Sequence, residues 1–395
     1  MKNKTKTKLK NLLLFICLPL IILSLVIFLS AFIFKLYQTP SNKTFTPVKT
    51  ININEPFSAK FYFNDKSGTN DFSDLIVKNI NSSHKTIEIA LYSIDSTAIR
   101  DALFAAAKRG VLVNLILSNS QETGETILLK NGGANLKFTF IGVGGTGYMH
   151  HKFMLIDQGD ANQKLFFGSY NFTELQGKFD PSFIMETSRP EIINVFSEEF
   201  NRLSSNQTWQ AKKTKNYNPF AARIEYPEGY LEIWFPPEPK SNSLKDRMLS
   251  LIKNATSNLK IMTWYITDKD IAAALISRAK TLPITIITDD YNWSNSSSVF
   301  PIMAAQKDRQ KLDNLQMITD LKRNTEVQKI IKDDTFNSFL HHHLLIVDDA
   351  TAVFGTNNWS SGGFFLNDES IMISNISSVV SAFEQSYLLN YNINK

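Results

Sequence analysis

Apolar and polar positions alternate from Thr86 to Tyr92 (TIEIALY). The spacing then becomes three and four through Ile99, Ala102, Leu103 and Ala106, and closes into a nearly unbroken apolar run, VLVNLIL, from Val111 to Leu117. Period two, then 3.6, then a continuous run reads as a half-buried strand, an amphipathic helix and a fully buried strand. The succession returns 172 residues later, where NLKIMTWYITDKDIAAALISRAKTLPITIITD, starting at Asn258, aligns with the segment starting at Thr86. Ile89 pairs with Ile261, Tyr92 with Trp264, Ile94 with Ile266, Ile99 with Ile271, Leu103 with Leu275 and Lys108 with Lys280. Upstream, KFYFN from Lys60 matches EIWFP from Glu232 at the same offset, and downstream each copy carries one more strand, FMLID ending at Asp157 and LLIVD ending at Asp348.

A repeat of this size predicts two α/β lobes of ordinary domain length. We place them at residues 56–210 and 229–395, joined by a linker over 211–228. The second copy is longer between its second strand and the final one, where a charged stretch from Lys307 to Asp334 favours helix. Residues 35–55, rich in Thr, Asn and Pro, read as a linker.

A different pattern opens the chain. Residues 1–11 form a lysine-rich tail, and residues 12–34 are apolar without a charge. As a helix, 23 residues reach roughly 34 Å, enough for a hydrocarbon core of about 30 Å. Lysines on the near side predict a cytoplasmic amino terminus, a single membrane span and a catalytic portion outside the cytoplasm. A cleaved signal peptide has a shorter apolar region ending at a small-x-small site, and here Leu29 occupies the position where a small residue would precede a cut after Ala31.

Composition, 43% hydrophobic and 20% charged over 395 residues, is that of a folded globular protein. The net charge of +5 is local: residues 1–40 hold six lysines and no acid, which leaves 36 basic against 37 acidic side chains in the remainder. That balance lacks the footprint of a nucleic-acid binder. The only cysteine, Cys17, lies in the apolar segment, so the lobes contain neither a disulfide nor a thiol nucleophile.

The chemistry-bearing residues recur with the repeat. In the first copy His150, Lys152 and Asp157 precede Gly168-Ser169-Tyr170-Asn171, with Glu186 beyond; in the second, His341, His343 and Asp348 precede Gly355-Thr356-Asn357-Asn358, with Glu369 beyond. Alternate residues of a strand share a face, so His150 and Lys152 point together, as do His341 and His343, while His151 and His342 point away. That geometry also argues against His341, His342 and His343 converging on one metal ion. The run GVGGTG from Gly142 to Gly147 matches a dinucleotide-binding pattern literally, but a strand follows where that fold requires a helix, so it reads as a loop.

The duplicated His-x-Lys, Asp and Gly-Ser-x-Asn series resembles the phospholipase D superfamily, and the resemblance runs from about Phe57 to Lys395. It implies two lobes packed as one pseudo-symmetric pair, with both motifs meeting in one cleft and the site complete in a monomer. His343 departs from the pattern, standing where the family has lysine, and Thr356 replaces serine. The family's chemistry implies His150 as nucleophile forming a phosphohistidine and His341 as general acid. Glu186 and Glu369 would orient the two imidazoles. Lys152, Ser169, Asn171, His343, Thr356 and Asn358 would surround the phosphate, and Asp157 and Asp348 would be structural. No cofactor or metal is required. The expected activity is hydrolysis or transfer of phospholipid head groups; a metal-independent nuclease and a catalytically weakened binding protein, the latter prompted by His343, are the alternatives.

Overall fold

The computed structural model describes residues 44–64, 71–118, 124–141, 147–205, 218–237, 243–320 and 338–394. The apolar stretch 12–34, with its expected membrane span, lies outside them. Among the described residues no helix is long and apolar enough to cross a membrane.

In chain order the strands are β1 (Lys49–Asn52), β2 (Lys60–Phe63), β3 (Thr86–Leu91), β4 (Leu112–Ser118), β5 (Leu136–Ile141), β6 (Lys152–Ile156), β7 (Lys164–Gly168) and β8 (Phe183–Thr187). There follow β9 (Phe220–Tyr226), β10 (Gly229–Trp234), β11 (Leu259–Thr263), β12 (Ile284–Thr288), β13 (Leu315–Thr319), β14 (His343–Val347), β15 (Thr351–Gly355) and β16 (Ile371–Ser374). They build two mixed sheets, ordered β2-β8-β7-β6-β3-β4-β5 and β1-β9-β10-β16-β15-β14-β11-β12-β13. The cores β8-β7-β6-β3-β4-β5 and β16-β15-β14-β11-β12-β13 correspond strand for strand, as the repeat predicts.

Local signals recur with the same offset. Asp71 and Ser96 cap the helices Phe72–Asn81 and Thr97–Lys108, and Ser243 and Asp268, each 172 residues on, cap Leu244–Asn254 and Lys269–Arg278. Each of these side chains accepts an otherwise orphaned backbone N–H of the first turn. The helices cover the outer face of each sheet and bury Ile99, Leu103, Ile271 and Leu275. The inner faces press against each other. One apolar cluster, including Phe153, Phe167, Phe183, Phe196, Phe354 and Phe383, runs through both lobes, so each sheet is buried on both sides.

Three boundaries need correction. The expected linker 35–55 contains β1, and the expected linker 211–228 contains β9; the two pair in parallel at the edge of the second sheet. Both are amphipathic strands with alternating burial, and β1 is only four residues long, too short to stand out among Thr, Asn and Pro. The helix-favouring stretch from Lys307 is helical only to Gln310; Leu315–Thr319 is β13, paired in parallel with β12. Leu315 is buried there while Gln316 is exposed, so packing against β12 overrides local propensity. Residues 321–337 of that stretch are outside the described portion.

Candidate active site

Asp157 and Asp348 close the ends of β6 and β14 remote from the histidines. Asp157 accepts the backbone N–H groups of His84, Lys85 and Thr86, and Asp348 those of Thr256, Ser257 and Asn258. Both occupy the left-handed backbone region, at φ 50° and 56°, a conformation Asp tolerates better than most residues. Their role is to tie each motif strand to the start of β3 or β11.

At the other end of those strands the lobes exchange contacts. The segment leading to His150 pairs with the second lobe: His150 N donates to Asp368 O at 2.8 Å and Asp368 N to Tyr148 O at 2.8 Å. Reciprocally, the segment leading to His341 is held by the first lobe, with Phe339 N donating to Asp180 Oδ1 at 2.9 Å and Ser338 Oγ to Phe179 O at 3.0 Å. Gly147 lets the lobes approach, since a Cβ there would lie 2.3 Å from Leu366 O of the second lobe, and Gly168 and Gly355 do the same between strands within each lobe. A Cβ on Gly168 would lie 1.9 Å from Phe183 O and one on Gly355 2.3 Å from Ser370 O, so only glycine lets the paired strands approach.

The result is one cavity of about 550 Å³ at the lobe junction. His150, His341, Asn171 and Asn358 line it, two from each lobe, with the aromatic rings of Tyr92, Tyr148, Trp264, Tyr265 and Phe339 around them. The Oδ1 atoms of Asn171 and Asn358 are buried and accept no hydrogen bond, so these side chains retain free hydrogen-bonding capacity.

The two imidazoles are held differently. His150 Nδ1 lies 2.8 Å from Glu369 Oε2, contributed by the other lobe. Glu369 is itself fixed by Thr356 Oγ1 at 2.5 Å and Asn367 Nδ2 at 2.9 Å. His341 Nδ1 lies 2.8 Å from Ser169 O, again across the lobes. A carbonyl only accepts, so Nδ1 of His341 carries the proton and Nε2 is its reactive nitrogen.

Electrostatics follows from burial. Desolvation, reinforced by the positive charge of Lys152, holds both His150 and His341 well below the usual histidine range. The same desolvation brings Lys152 down to about 7 and pushes Glu369 up to about 8. Lys152 Nζ donates to His150 O at 3.0 Å and lies 5.4 Å from the Tyr92 ring centroid.

Several expected roles change. Glu186 does not orient a histidine: it accepts from the Tyr62 hydroxyl at 2.7 Å and pairs with Lys164 at 2.9 Å, further along β8. Gly355 faces Ile371 and Gly168 faces Ile184, so the counterpart of Glu369 is Ser182, which has no carboxylate. The hydroxyls of Ser169 and Thr356 do not face the cavity. Ser169 Oγ accepts from Phe183 N at 3.2 Å, while Thr356 Oγ1 holds Glu369 and accepts from Ser370 N at 3.0 Å. His343 is not in the cavity wall either; it is buried with its ring centroid 5.3 Å from that of His341, and neither nitrogen has a hydrogen-bond partner. Lys152 likewise stands behind the histidines, reaching the site through its charge.

His151 and His342 point away from the cavity, as strand alternation requires. His342 lies against Phe183 with rings nearly parallel at 6.2 Å. His151 bonds Ser370 Oγ at 2.6 Å and Glu199 at 3.0 Å, and Arg202 pairs with both Glu199 and Asp368 at 2.7 and 3.3 Å. His151, Glu199 and Asp368 converge closely enough for a metal ion, but the Arg202 guanidinium supplies the positive charge there. Residues the sequence reading did not single out are Asn367, which braces Glu369, and the aromatic wall. The matching of Tyr92 with Trp264 in the repeat was the available signal for the wall. The ring of Tyr92 lies 4.8 Å from His150 and that of Trp264 6.3 Å from His341. Phe364, near the second motif, belongs to the apolar core.

Two repeated lobes, each contributing a histidine and an asparagine to a shared cavity, define the phospholipase D-like architecture. Residues 76–204 and 248–388 both match the family described as cardiolipin synthase, PLD-like domain. Together they make up more than half of the chain, which therefore belongs to the phospholipase D superfamily. A curated relative, the mitochondrial cardiolipin hydrolase of Danio rerio, is 26% identical over 144 residues, covering 36% of this chain and 58% of that protein. The aligned region thus takes in little more than half the relative's length. Among solved structures, phosphatidylserine synthase of Haemophilus influenzae superposes with a TM-score of 0.62 at 11% identity, covering 83% of this chain and 85% of that one. Polyphosphate kinase of Porphyromonas gingivalis superposes with a TM-score of 0.54 at 10% identity, covering 85% and 50%. At these identities the likenesses show the fold.

Proposed function

We propose that the chain is a phosphodiesterase of phospholipid head groups that works through a phosphohistidine on His150, with His341 as general acid and base. The observation that carries the assignment is the asymmetry of the imidazoles: His150 alone is backed by a carboxylate, and Ser182 leaves no equivalent for His341. A carboxylate on Nδ1 raises the nucleophilicity of Nε2 and stabilises the positive charge the ring acquires when it attacks phosphorus.

In the first step the Nε2 lone pair of His150 forms the P–N bond as the bond from phosphorus to the head-group alcohol breaks, and His341 Nε2 delivers its proton to that alkoxide. In the second, water or another alcohol gives a proton to His341 and attacks phosphorus, the P–N bond breaks, and His150 is released. Water yields phosphatidic acid, and a second alcohol yields a new phospholipid. Asn171 and Asn358 donate to the non-bridging oxygens, and Lys152 adds positive charge from behind, while burial keeps His343 neutral. Phosphate arriving at a desolvated site raises the pKa of His341, recharging it for proton delivery.

Lipid relatives and an aromatic, lysine-free cavity wall among the described residues favour a phospholipid over nucleic acid. Incubating the full chain with short-chain phosphatidylcholine, phosphatidylethanolamine, cardiolipin and single-stranded DNA tests the reading. Release of head-group alcohol from a phospholipid is expected; cleavage of DNA alone, or inertness toward all four, would overturn it.

A further inference from the structure

The described residues expose few large apolar side chains, and several of them gather at one place. Tyr148, Leu175 and Phe339 stand at the mouth of the catalytic cavity and are 47%, 48% and 37% exposed. Phe339 also borders a second depression of about 370 Å³, whose other lining includes Tyr291 and Trp293, 41% and 51% exposed. The patch is continuous: Tyr291 stacks at 5.6 Å on Trp264 of the cavity wall, and Phe339 meets the same indole edge-on at 5.2 Å. Contiguous exposed apolar surface around a site marks a place of contact.

We propose that this rim is a bilayer-docking surface, which seats the cavity mouth on the interface of a zwitterionic membrane so that a lipid head group enters without leaving the bilayer. The choice of a bilayer rests on the lipid reading above, and two further observations favour it. Tyr and Trp partition to the headgroup level because each has an apolar body and a polar tip, and here four aromatic rings and a leucine form the rim. The titratable side chains lining the two depressions, besides the histidines and tyrosines, are Asp95, Asp180, Asp289 and Asp290, with no Lys or Arg among the described lining residues. That charge disfavours a nucleic-acid backbone and a strongly anionic membrane alike, and suits a surface carrying ammonium groups. The expected anchor at residues 12–34 would hold the chain beside such a surface.

The test reads depth and needs no turnover. The one native cysteine, Cys17, is replaced by serine, and nitroxide labels are attached to Leu175→Cys and Trp293→Cys in the full chain, reconstituted into vesicles of phosphatidylcholine and phosphatidylethanolamine. A label on Ala350→Cys, exposed beyond Asp348 at the opposite end of β14, is the aqueous control. Labels at 175 and 293 are expected to collide with oxygen at least several-fold more often, relative to a water-soluble nickel complex, than the control. Water-like accessibility at both positions, or immobilisation of both labels by single-stranded DNA with no bilayer contact, would overturn the proposal. A second arm compares Trp293→Glu, a change in the second depression and outside the catalytic cavity, with the unmodified protein. Hydrolysis of vesicle lipid should fall by about tenfold while hydrolysis of a monomeric short-chain lipid stays unchanged, since one inserted apolar side chain contributes about that factor to partitioning. Equal rates on vesicles would count against docking. Absence of all lipid hydrolysis would instead remove the phosphodiesterase reading and leave the depth measurement to decide the surface.

Discussion

Glu369 supports the asymmetry on which the proposed chemistry depends, and replacing it with glutamine removes its charge at nearly constant shape. Its carboxylate meets His150 Nδ1 at 2.8 Å in a fully buried setting, where a charge-assisted hydrogen bond is worth about 1.5–3 kcal/mol. If that bond is felt in full only when His150 becomes positive, Glu369→Gln lowers kcat by about 10- to 150-fold. The same substitution has a signature in stability. Burial raises Glu369 from 4.5 to about 8, so between those values the folded protein holds, in the hydrogen bond between Glu369 and His150, a proton that the unfolded chain has lost. Stability is therefore favoured below pH 4.5 and falls as pH rises toward 8, by on the order of 1 kcal/mol per unit. Lys152, brought down from 10.5 to about 7, acts in the opposite sense at higher pH, where the unfolded chain holds the proton. Chemical denaturation across pH 5 to 8 should show the decline in the unmodified protein and a flattened curve for Glu369→Gln, alongside the kcat loss on a short-chain phospholipid. A variant with unchanged kcat would refute the argument that Glu369 activates His150, and an unchanged pH slope would refute the retention of a proton by the buried Glu369–His150 pair.

Other sites separate structure from chemistry. Both nitrogens of His343 are buried without partners, so His343→Leu sheds an unmet polar cost and should hold or raise stability by about 1 kcal/mol. Because His343 stands outside the cavity wall, KM of this variant should be unchanged, and a rise of about tenfold would show that the side chain reaches the bound phosphate. Asp157→Ala strands three backbone N–H groups far from the cavity and should cost about 2–4 kcal/mol in denaturant unfolding, leaving kcat of the folded fraction intact. The free enzyme holds His341 well below 6.5, so kcat/KM for a poor leaving group should lose its acid-dependent activity at a pH below 6.5. The alkaline limb of kcat should lie higher because bound phosphate recharges the ring, and a kcat/KM that stays level to pH 9 would contradict this ordering.

The repeat, the strand-helix-strand succession and the histidine motifs were legible because period and spacing are local properties. So was the direction of His151 and His342, which strand alternation fixes. The partner of His341 was not. Glu186 is a prominent acid near the right place, but register decides the matter: Glu369 lies fourteen residues after Gly355, and the fourteenth residue after Gly168 is Ser182. Nor could spacing reveal that Ser169 and Thr356 turn their hydroxyls into the protein, since that depends on the close approach of β7 to β8 and of β15 to β16. Short edge strands such as β1 were hidden because their pairing is made with β9, more than 160 residues away.

The division of labour between the two histidines is tested most directly by trapping the covalent intermediate. His341→Asn, given a phosphodiester with a p-nitrophenolate leaving group that needs no proton, should still form a phospho-enzyme but hydrolyse it slowly, and acid-stable peptide mapping is replaced by alkaline digestion to preserve the P–N bond. Label found on His150, and absent from His150→Asn, is the predicted result; label on His341 in the unmodified protein would reverse the assignment.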